Sequence, residues 1–543
     1  MQPLPVSSSL KKEVMLTLQN ISYSHPNKDL LFDEISFTIN RYDKIALIGN
    51  NGAGKSTLLK LIAKQLQPNA GQIILNTVAY YVPQLLGAYD GLTIAQALKV
   101  EDKLNALHNI LSGVVTDENY AVLNDDWTIE SRCDQGLEHW QLTGLSLSQK
   151  MGTLSGGQKT KVFLAGIYIH QPDLVLLDEP GNYLDNDGRQ LLYDLIRHTN
   201  STLIVVSHDR KLLNLLSPVY ELSTHGITIH GGNYDFYCEQ KRIENNALNQ
   251  EIQNKEKVLR KAKEKERQTL ERQQRSDNRG RHKQEKAGVS RIMMNTLRNK
   301  AENSTSKMKE VHAQKIGGIS HELNELRKDL PGMDRMKFGF QRPPLHNRKI
   351  LFRATNVNFT YDTQPLWKEN LDFLITSGER IALKGANGAG KSTLINLLLN
   401  KLQPQTGTIY RAENRSVYID QDYSLIDNKL SVYEQAQQFN TSGLLEHEVK
   451  TRLSRFLFGR AGWDKSCSVL SGGERMRLAL CCLTISDESP DIIILDEPTN
   501  NLDIQNIEIL TEATNEYEGT LIVVSHDELF LEEIHIERAV EVQ

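Results

Sequence analysis

Gly49-Asn50-Asn51-Gly52-Ala53-Gly54-Lys55-Ser56-Thr57 follows the apolar run at 45–48 and precedes a helix-length segment beginning at Leu58. The arrangement returns as Gly385-Ala386-Asn387-Gly388-Ala389-Gly390-Lys391-Ser392-Thr393, between the apolar run at 381–383 and the segment from Leu394. Between a strand and a helix, the pattern GxxxxGK[ST] does a defined job. Its glycines let backbone N–H groups wrap phosphates, its lysine bridges the terminal phosphates, and its hydroxyl, here Ser56 or Ser392, coordinates Mg²⁺.

Three further motifs recur in the same order. Leu154-Ser155-Gly156-Gly157-Gln158 returns as Leu470-Ser471-Gly472-Gly473-Glu474, Leu177-Asp178-Glu179-Pro180 as Leu495-Asp496-Glu497-Pro498, and Ser207-His208-Asp209 as Ser525-His526-Asp527. The offsets are 316, 318 and 318 residues, so the chain contains one domain twice. In each copy short apolar runs alternate with helix-length segments, which predicts an α/β domain around a buried parallel sheet.

The 543 residues divide into an N-terminal tail at 1–14, a first domain at 15–233, a linker at 234–345 and a second domain at 346–543. From about Tyr234 to Leu330 strand signals vanish and Lys, Arg, Glu and Gln dominate, with a glycine break near Gly288. This predicts two long helices folded as a hairpin, the first reaching ~70 Å at ~1.5 Å per residue. Gly317-Gly318 is a place where the returning helix can kink.

Composition excludes several classes. With 39% hydrophobic and 24% charged residues the chain is that of an ordinary globular protein. No apolar run approaches the ~18 residues of a membrane-spanning helix. The first twelve residues lack the apolar core of a signal peptide, and the expected location is cytoplasmic. Five cysteines with no CxxC spacing argue for reduced thiols rather than a disulfide or zinc framework. The net charge of −5 conceals a division: residues 255–309 hold 18 Lys and Arg against 7 Asp and Glu, so the remainder carries −16.

Asp178 and Asp496 end apolar strands, where a carboxylate suits a Mg²⁺ shell. Glu179 and Glu497 follow directly and can accept a proton from attacking water. His208 and His526 end further strands and can sense a terminal phosphate. Each Ser-Gly-Gly segment opens a helix, so its free N–H groups and positive dipole end offer a second phosphate site in a domain that already has one. That redundancy makes sense if each serves the other domain's nucleotide.

Together with Gln84 and Gln421 after a strand, these motifs resemble the ATP-binding cassette ATPases over about four fifths of the chain. The resemblance implies two cassettes closing head to tail around two ATP molecules with Mg²⁺, as an intramolecular pair in a monomer. One site would join Lys55, Ser56, Gln84, Asp178, Glu179 and His208 to Ser471-Gly472-Gly473. The other would join Lys391, Ser392, Gln421, Asp496, Glu497 and His526 to Ser155-Gly156-Gly157, with Asp185 and Asp503 in loops crossing the interface. Tyr361 matches the adenine-stacking aromatic, where the first copy has His25. The first copy also has Gly181-Asn182-Tyr183 where the second has Thr499-Asn500-Asn501, so unequal hydrolysis rates are expected.

Two fused cassettes, no membrane domain and a long charged linker resemble the ABC-F subfamily. That implies a ribosome-associated ATPase whose hairpin enters the E site and approaches P-site tRNA, either to modulate translation or to displace antibiotics. The charge supplies an independent reason, because such basic density favours rRNA and tRNA phosphate contact by counterion release. Candidate contacts are Arg272, Arg275, Arg279, Arg281, Lys283, Lys286, Arg291 and Arg298, with Met293 and Met294 near the tip. Residues 292–297 can equally pack the hairpin on itself. The alternative is the ATP-binding subunit of a transporter with separate membrane chains, in which the basic hairpin has no evident task and no membrane partner is otherwise expected.

Overall fold

The computed structural model describes residues 13–25, 30–223, 226–286, 291–328, 348–361, 364–486, 489–500 and 502–542. Within the long helices, the side chains at 277, 280–286, 291–292, 294–305, 308 and 328 also fall outside the description. The chain forms two compact units: both copies together (Met1–Asp235 with Arg335–Gln543), and the linker (Phe236–Asp334).

The first copy contributes β1 (Val14–Ser24), β2 (Leu30–Asn40), β3 (Lys44–Ile48), β4 (Ala70–Leu75), β5 (Ala79–Val82), β6 (Leu174–Asp178), β7 (Thr202–Val206), β8 (Val219–Ser223) and β9 (Gly226–His230). Strand β1 starts one residue inside the expected tail. Strands β2-β1-β4 form an antiparallel sheet, and β5-β6-β7-β3-β8-β9 a second that is parallel except for its last pair. The second copy repeats the plan with β10 (Ile350–Asn358), β11 (Leu371–Thr376), β12 (Arg380–Lys384), β13 (Thr406–Arg411), β14 (Ser416–Ile419), β15 (Ile492–Asp496), β16 (Thr520–Val524) and β17 (Arg538–Glu541). Its sheets are β11-β10-β13 and the all-parallel β14-β15-β16-β12-β17.

The apolar runs at the centre of each parallel sheet are covered on both faces, which is why they lack alternation. Every residue of β6, β7, β15 and β16 is buried. Helices follow the strands: α1 (Lys55–Ile62), α2 (Gly156–His170), α3 (Asn186–His198), α4 (Arg210–Leu213), α5 (Tyr234–Lys286), α6 (Arg291–Lys328), α7 (Lys391–Leu398), α8 (Gly472–Ile485), α9 (Ile504–Glu516) and α10 (Glu528–Glu533). At the junction of the copies α4 meets α10. Arg210 pairs with Glu533 at 2.5 Å and Lys211 with Glu528.

The linker is a helical hairpin built from α5 and α6. Helix α5 has 53 residues, or about 80 Å of rise. Helix α6 runs without interruption through Gly317-Gly318. Lys255 pairs with Glu322, and Arg327 with Glu256 at 2.5 Å, while Ile252 and Leu323 are buried. No helix among the described residues is long and apolar enough to cross a membrane.

Candidate active sites

Parallel register places the chemistry at one edge of each sheet. Asp178 pairs with Val206 and Asp496 with Val524, so each Asp-Glu step emerges beside the Ser-His-Asp step of the neighbouring strand. Crevices at the carboxyl ends of parallel strands are the usual ligand position in such sheets.

The loops before α1 and α7 are shaped by glycine. Gly54 and Gly390 have φ of +97° and +90°, and a Cβ there would lie 2.7 Å from Leu31 or 2.6 Å from Leu366. Only glycine meets both demands. Each loop is closed by its own lysine. Lys55 Nζ donates to the carbonyls of Gly49 (2.6 Å) and Asn50 (3.2 Å), and Lys391 Nζ to those of Gly385 (2.7 Å) and Ala386 (3.0 Å). Burial lowers both ammonium pKa values, and the nearby carboxylates, Glu179 first in one site and Glu497 first in the other, oppose that shift.

Ser56 Oγ donates to Asp178 at 3.0 Å, and Ser392 Oγ to Asp496 at 3.1 Å. The hydroxyls of Tyr81 and Tyr418 donate to the same carboxylates at 3.0 and 2.8 Å. These tyrosines were not singled out from sequence, although they lie three residues before Gln84 and Gln421 in both copies. Hydroxyl, carboxylate and amide form a hard-oxygen donor set with room for phosphate oxygens, which suits Mg²⁺.

Glu179 and Glu497 are buried on a strained backbone, with φ of +51° and +49°. Their N–H groups donate to the carbonyls of Val206 and Val524, each at 2.8 Å. His208 Nε2 lies 3.3 Å from Glu179 Oε1, and His526 Nε2 3.3 Å from Glu497 Oε1. Burial pushes the Glu179 carboxyl up to about 8 and Glu497 to about 7. Burial, helped by Lys55, lowers His208 to about 3, and burial, helped by Lys391, lowers His526 to about 4. Both imidazoles are therefore neutral near pH 7, beside carboxyls poised to exchange a proton there. Among the described residues, the buried Glu179 Oε1, His208 Nδ1 and Glu497 Oε2 find no hydrogen-bond partner, as befits a site completed by a polar ligand.

The two Ser-Gly-Gly segments cap α2 and α8. Ser155 accepts from Gln158 N and Ser471 from Glu474 N, each at 3.3 Å, and the Gln158 and Glu474 side chains return the bond. They face across the copies. A cavity of about 330 Å³ gathers Lys55, Ser56, Thr57, Gln84, Asp178, Glu179 and His208 with Ser471, and adds His25 and Leu31. A second cavity joins Ser155, Gly156 and Gly157 to Asn387, Gly388, Gln421, Glu497 and His526. Gly385, Ala386 and Ala389 line an adjoining one with Asp185 and His526. Tyr361 stands exposed nearby in the chain, its hydroxyl 2.9 Å from Thr393 Oγ1 and its ring 5.0 Å from that of Phe359.

The copies touch through polar contacts that no local pattern announces. Asn51 N donates to Asp503 at 3.2 Å, Asn387 Nδ2 to the Tyr183 carbonyl at 3.0 Å, and Asn186 Oδ1 lies 3.2 Å from His526 Nδ1. Of the RNA-contact candidates, Arg272, Arg275 and Arg279 are exposed on α5 and Met293 on α6. The side chains of Arg281, Lys283, Lys286, Arg291, Met294 and Arg298 lie outside the described ones.

Comparison with known proteins agrees with this geometry. The ABC transporter family model matches residues 32–182 and 368–500. YdiF of Bacillus subtilis (strain 168) is 31% identical over 532 residues, spanning 93% of this chain and 77% of YdiF. ABC transporter F family member 5 of Arabidopsis thaliana is 28% identical, spanning 97% of this chain and 74% of that protein. Among solved structures, the complex of archaeal ribosomal stalk protein aP1 and archaeal ribosome recycling factor aABCE1 matches with a TM-score of 0.59 at 18% identity, covering 96% of this chain and 87% of that one. Phosphate loops, shared cavities and family match meet in one conclusion: the chain belongs to the ABC transporter family, as an ATP-binding cassette ATPase of the ABC-F type that uses ATP with Mg²⁺.

Proposed function

We propose that this ATPase acts on the ribosome. ATP bound between the copies would hold them closed, the closed form would bind the ribosome, and the hairpin would lie beside P-site tRNA until hydrolysis releases it. The reading rests foremost on the shared cavities, in which a Ser-Gly-Gly helix start from one copy meets the phosphate loop of the other. A nucleotide bridging both has higher affinity for the closed form, and only such a difference can drive a switch.

In each site water attacks the terminal phosphorus, the bond to the bridging oxygen breaks with its electron pair leaving on ADP, and Glu179 or Glu497 accepts the proton of water. Ser56, Gln84 and Asp178, or Ser392, Gln421 and Asp496, would hold Mg²⁺, which when bound offsets phosphate charge. His208 and His526 orient the carboxylate and the terminal phosphate, and Tyr361 stacks the adenine of the second site.

The ribosome as partner is supported by the basic balance of residues 255–309 and by the exposed arginines of α5. It is also in keeping with the recycling factor whose fold this chain shares. The same placement serves either translation in general or displacement of ribosome-targeting antibiotics. The test replaces Glu179 and Glu497 together by Gln and sediments ribosomes with ATP. Stable co-sedimentation and arrested translation are expected, whereas unchanged association and unchanged translation remove the proposal.

A further inference from the structure

Arg189 lies on α3, four residues beyond Asp185, and the matching position of the second copy is Ile507. Its side chain is only 12% exposed. Within its own copy, Nε donates to the Leu184 carbonyl at 3.3 Å and Nη1 reaches Asp209 Oδ2 at 3.5 Å. Across the interface it lines the second site's cavity with Glu497 and His526, and also a space between the two sites that Glu179, His208 and Ile507 line with it. The Leu184 that it holds belongs to the turn that receives Asn387 of the second phosphate loop through the Tyr183 carbonyl.

A buried guanidinium attracts a carboxylate across an interface far more strongly than an exposed one, and an isoleucine does not attract it at all. Among the charges acting on Glu497, Arg189 outranks even Lys391. Arg189 is not required simply to satisfy Asp209, which also accepts from Tyr193 Oη at 2.5 Å and from Leu212 N at 3.1 Å.

We propose that Arg189 is a positioning residue of the second site, holding the Glu497 carboxylate and the Tyr183-Leu184 turn in the closed arrangement. The site built on Lys391 then hydrolyses ATP faster than the site built on Lys55, where Ile507 occupies the equivalent place. This rests on Glu179 and Glu497 acting as the bases.

The test uses the full chain in two backgrounds, E179Q, which leaves the second site, and E497Q, which leaves the first. In E179Q, R189M is expected to lower kcat about tenfold with little change in KM, as loss of one cross-interface charge implies. In E497Q the same change should alter kcat less than about twofold, and R189K should recover most of the loss in E179Q. R189Q, uncharged but still a donor, should behave as R189M and reads the charge effect if R189M does not fold. Equal losses in both backgrounds, or none in either, overturn the proposal. A double variant E179Q/E497Q that hydrolyses at the unmodified rate instead overturns the assignment of the bases.

Discussion

Asp503 of the second copy accepts a hydrogen bond at 3.2 Å from the backbone N–H of Asn51, inside the first copy's phosphate loop. Its other oxygen caps α9 through Asn506 N at 2.9 Å. One buried carboxylate thus fixes the start of its own helix and the opposite nucleotide loop. Its counterpart Asp185 caps α3 through Gly188 N at 3.0 Å, while Asn387 reaches the Tyr183 carbonyl instead.

Replacing Asp503 by Ala removes both bonds. The lost cap costs about 1 kcal/mol of stability. Turnover of the first site, measured as ATP hydrolysis in an E497Q chain, is expected to fall about tenfold through the lost charge-assisted contact. Unaltered kinetics would show that Asn51 needs no partner from the other copy.

The raised carboxyl pKa of Glu497 gives a stability signature without nucleotide. Burial holds the folded value at about 7, above the ordinary 4.5, so the folded state binds the extra proton. Stability therefore declines as pH climbs from about 4.5 through about 7 and flattens above. Gln has no such penalty. E497Q should raise the melting temperature over the parent by about 2–4 °C at pH 8 and by much less at pH 5, read by scanning calorimetry. A pH-independent difference would place the effect elsewhere.

Arg210 and Glu533 test the junction of the copies. Arg210→Glu sets two carboxylates against each other and should slow ATP hydrolysis several-fold, while Arg210→Glu with Glu533→Arg restores it. Rescue by the double exchange is the diagnostic result, because either single change leaves a like-charge pair.

Among the described residues of the hairpin, Ile252 and Leu323 are buried. Ile252→Ala is expected to cost about 2 kcal/mol of local stability and to speed proteolytic nicking of α5, with cassette melting unmoved. Nicking at the parent's rate would assign the hairpin's order to its ion pairs, Lys255 with Glu322 and Arg327 with Glu256.

What the sequence made legible follows from range. Phosphate loops, Asp-Glu steps and helix-opening Ser-Gly-Gly segments are contiguous, so their chemistry shows in a few residues and their duplication doubles the signal. The long helices at Tyr234–Lys286 and Arg291–Lys328 follow from composition alone. Gly317-Gly318 sits in α6 without ending it, since a glycine pair in a long helix lowers stability without forbidding the conformation. The contacts from Asn51 to Asp503 and from Asn387 to Tyr183, and the cavity that Arg189 lines with Glu497, had no local trace. They join residues hundreds of positions apart, and only the docked copies create them. Tyr81 and Tyr418 fall between these cases, repeated in register but without a pattern that names their partner.

The meeting of α4 and α10 carries a lesson about identity. A duplicated domain inherits a surface that fits itself, so two first copies from different molecules are natural competitors for the pairing. Here the first copy presents Arg210 and Lys211 where the second presents Glu528 and Glu533. First against first would oppose cations, and second against second would oppose carboxylates. The junction therefore works as an address: each half is complementary to its sibling and repelled by its twin.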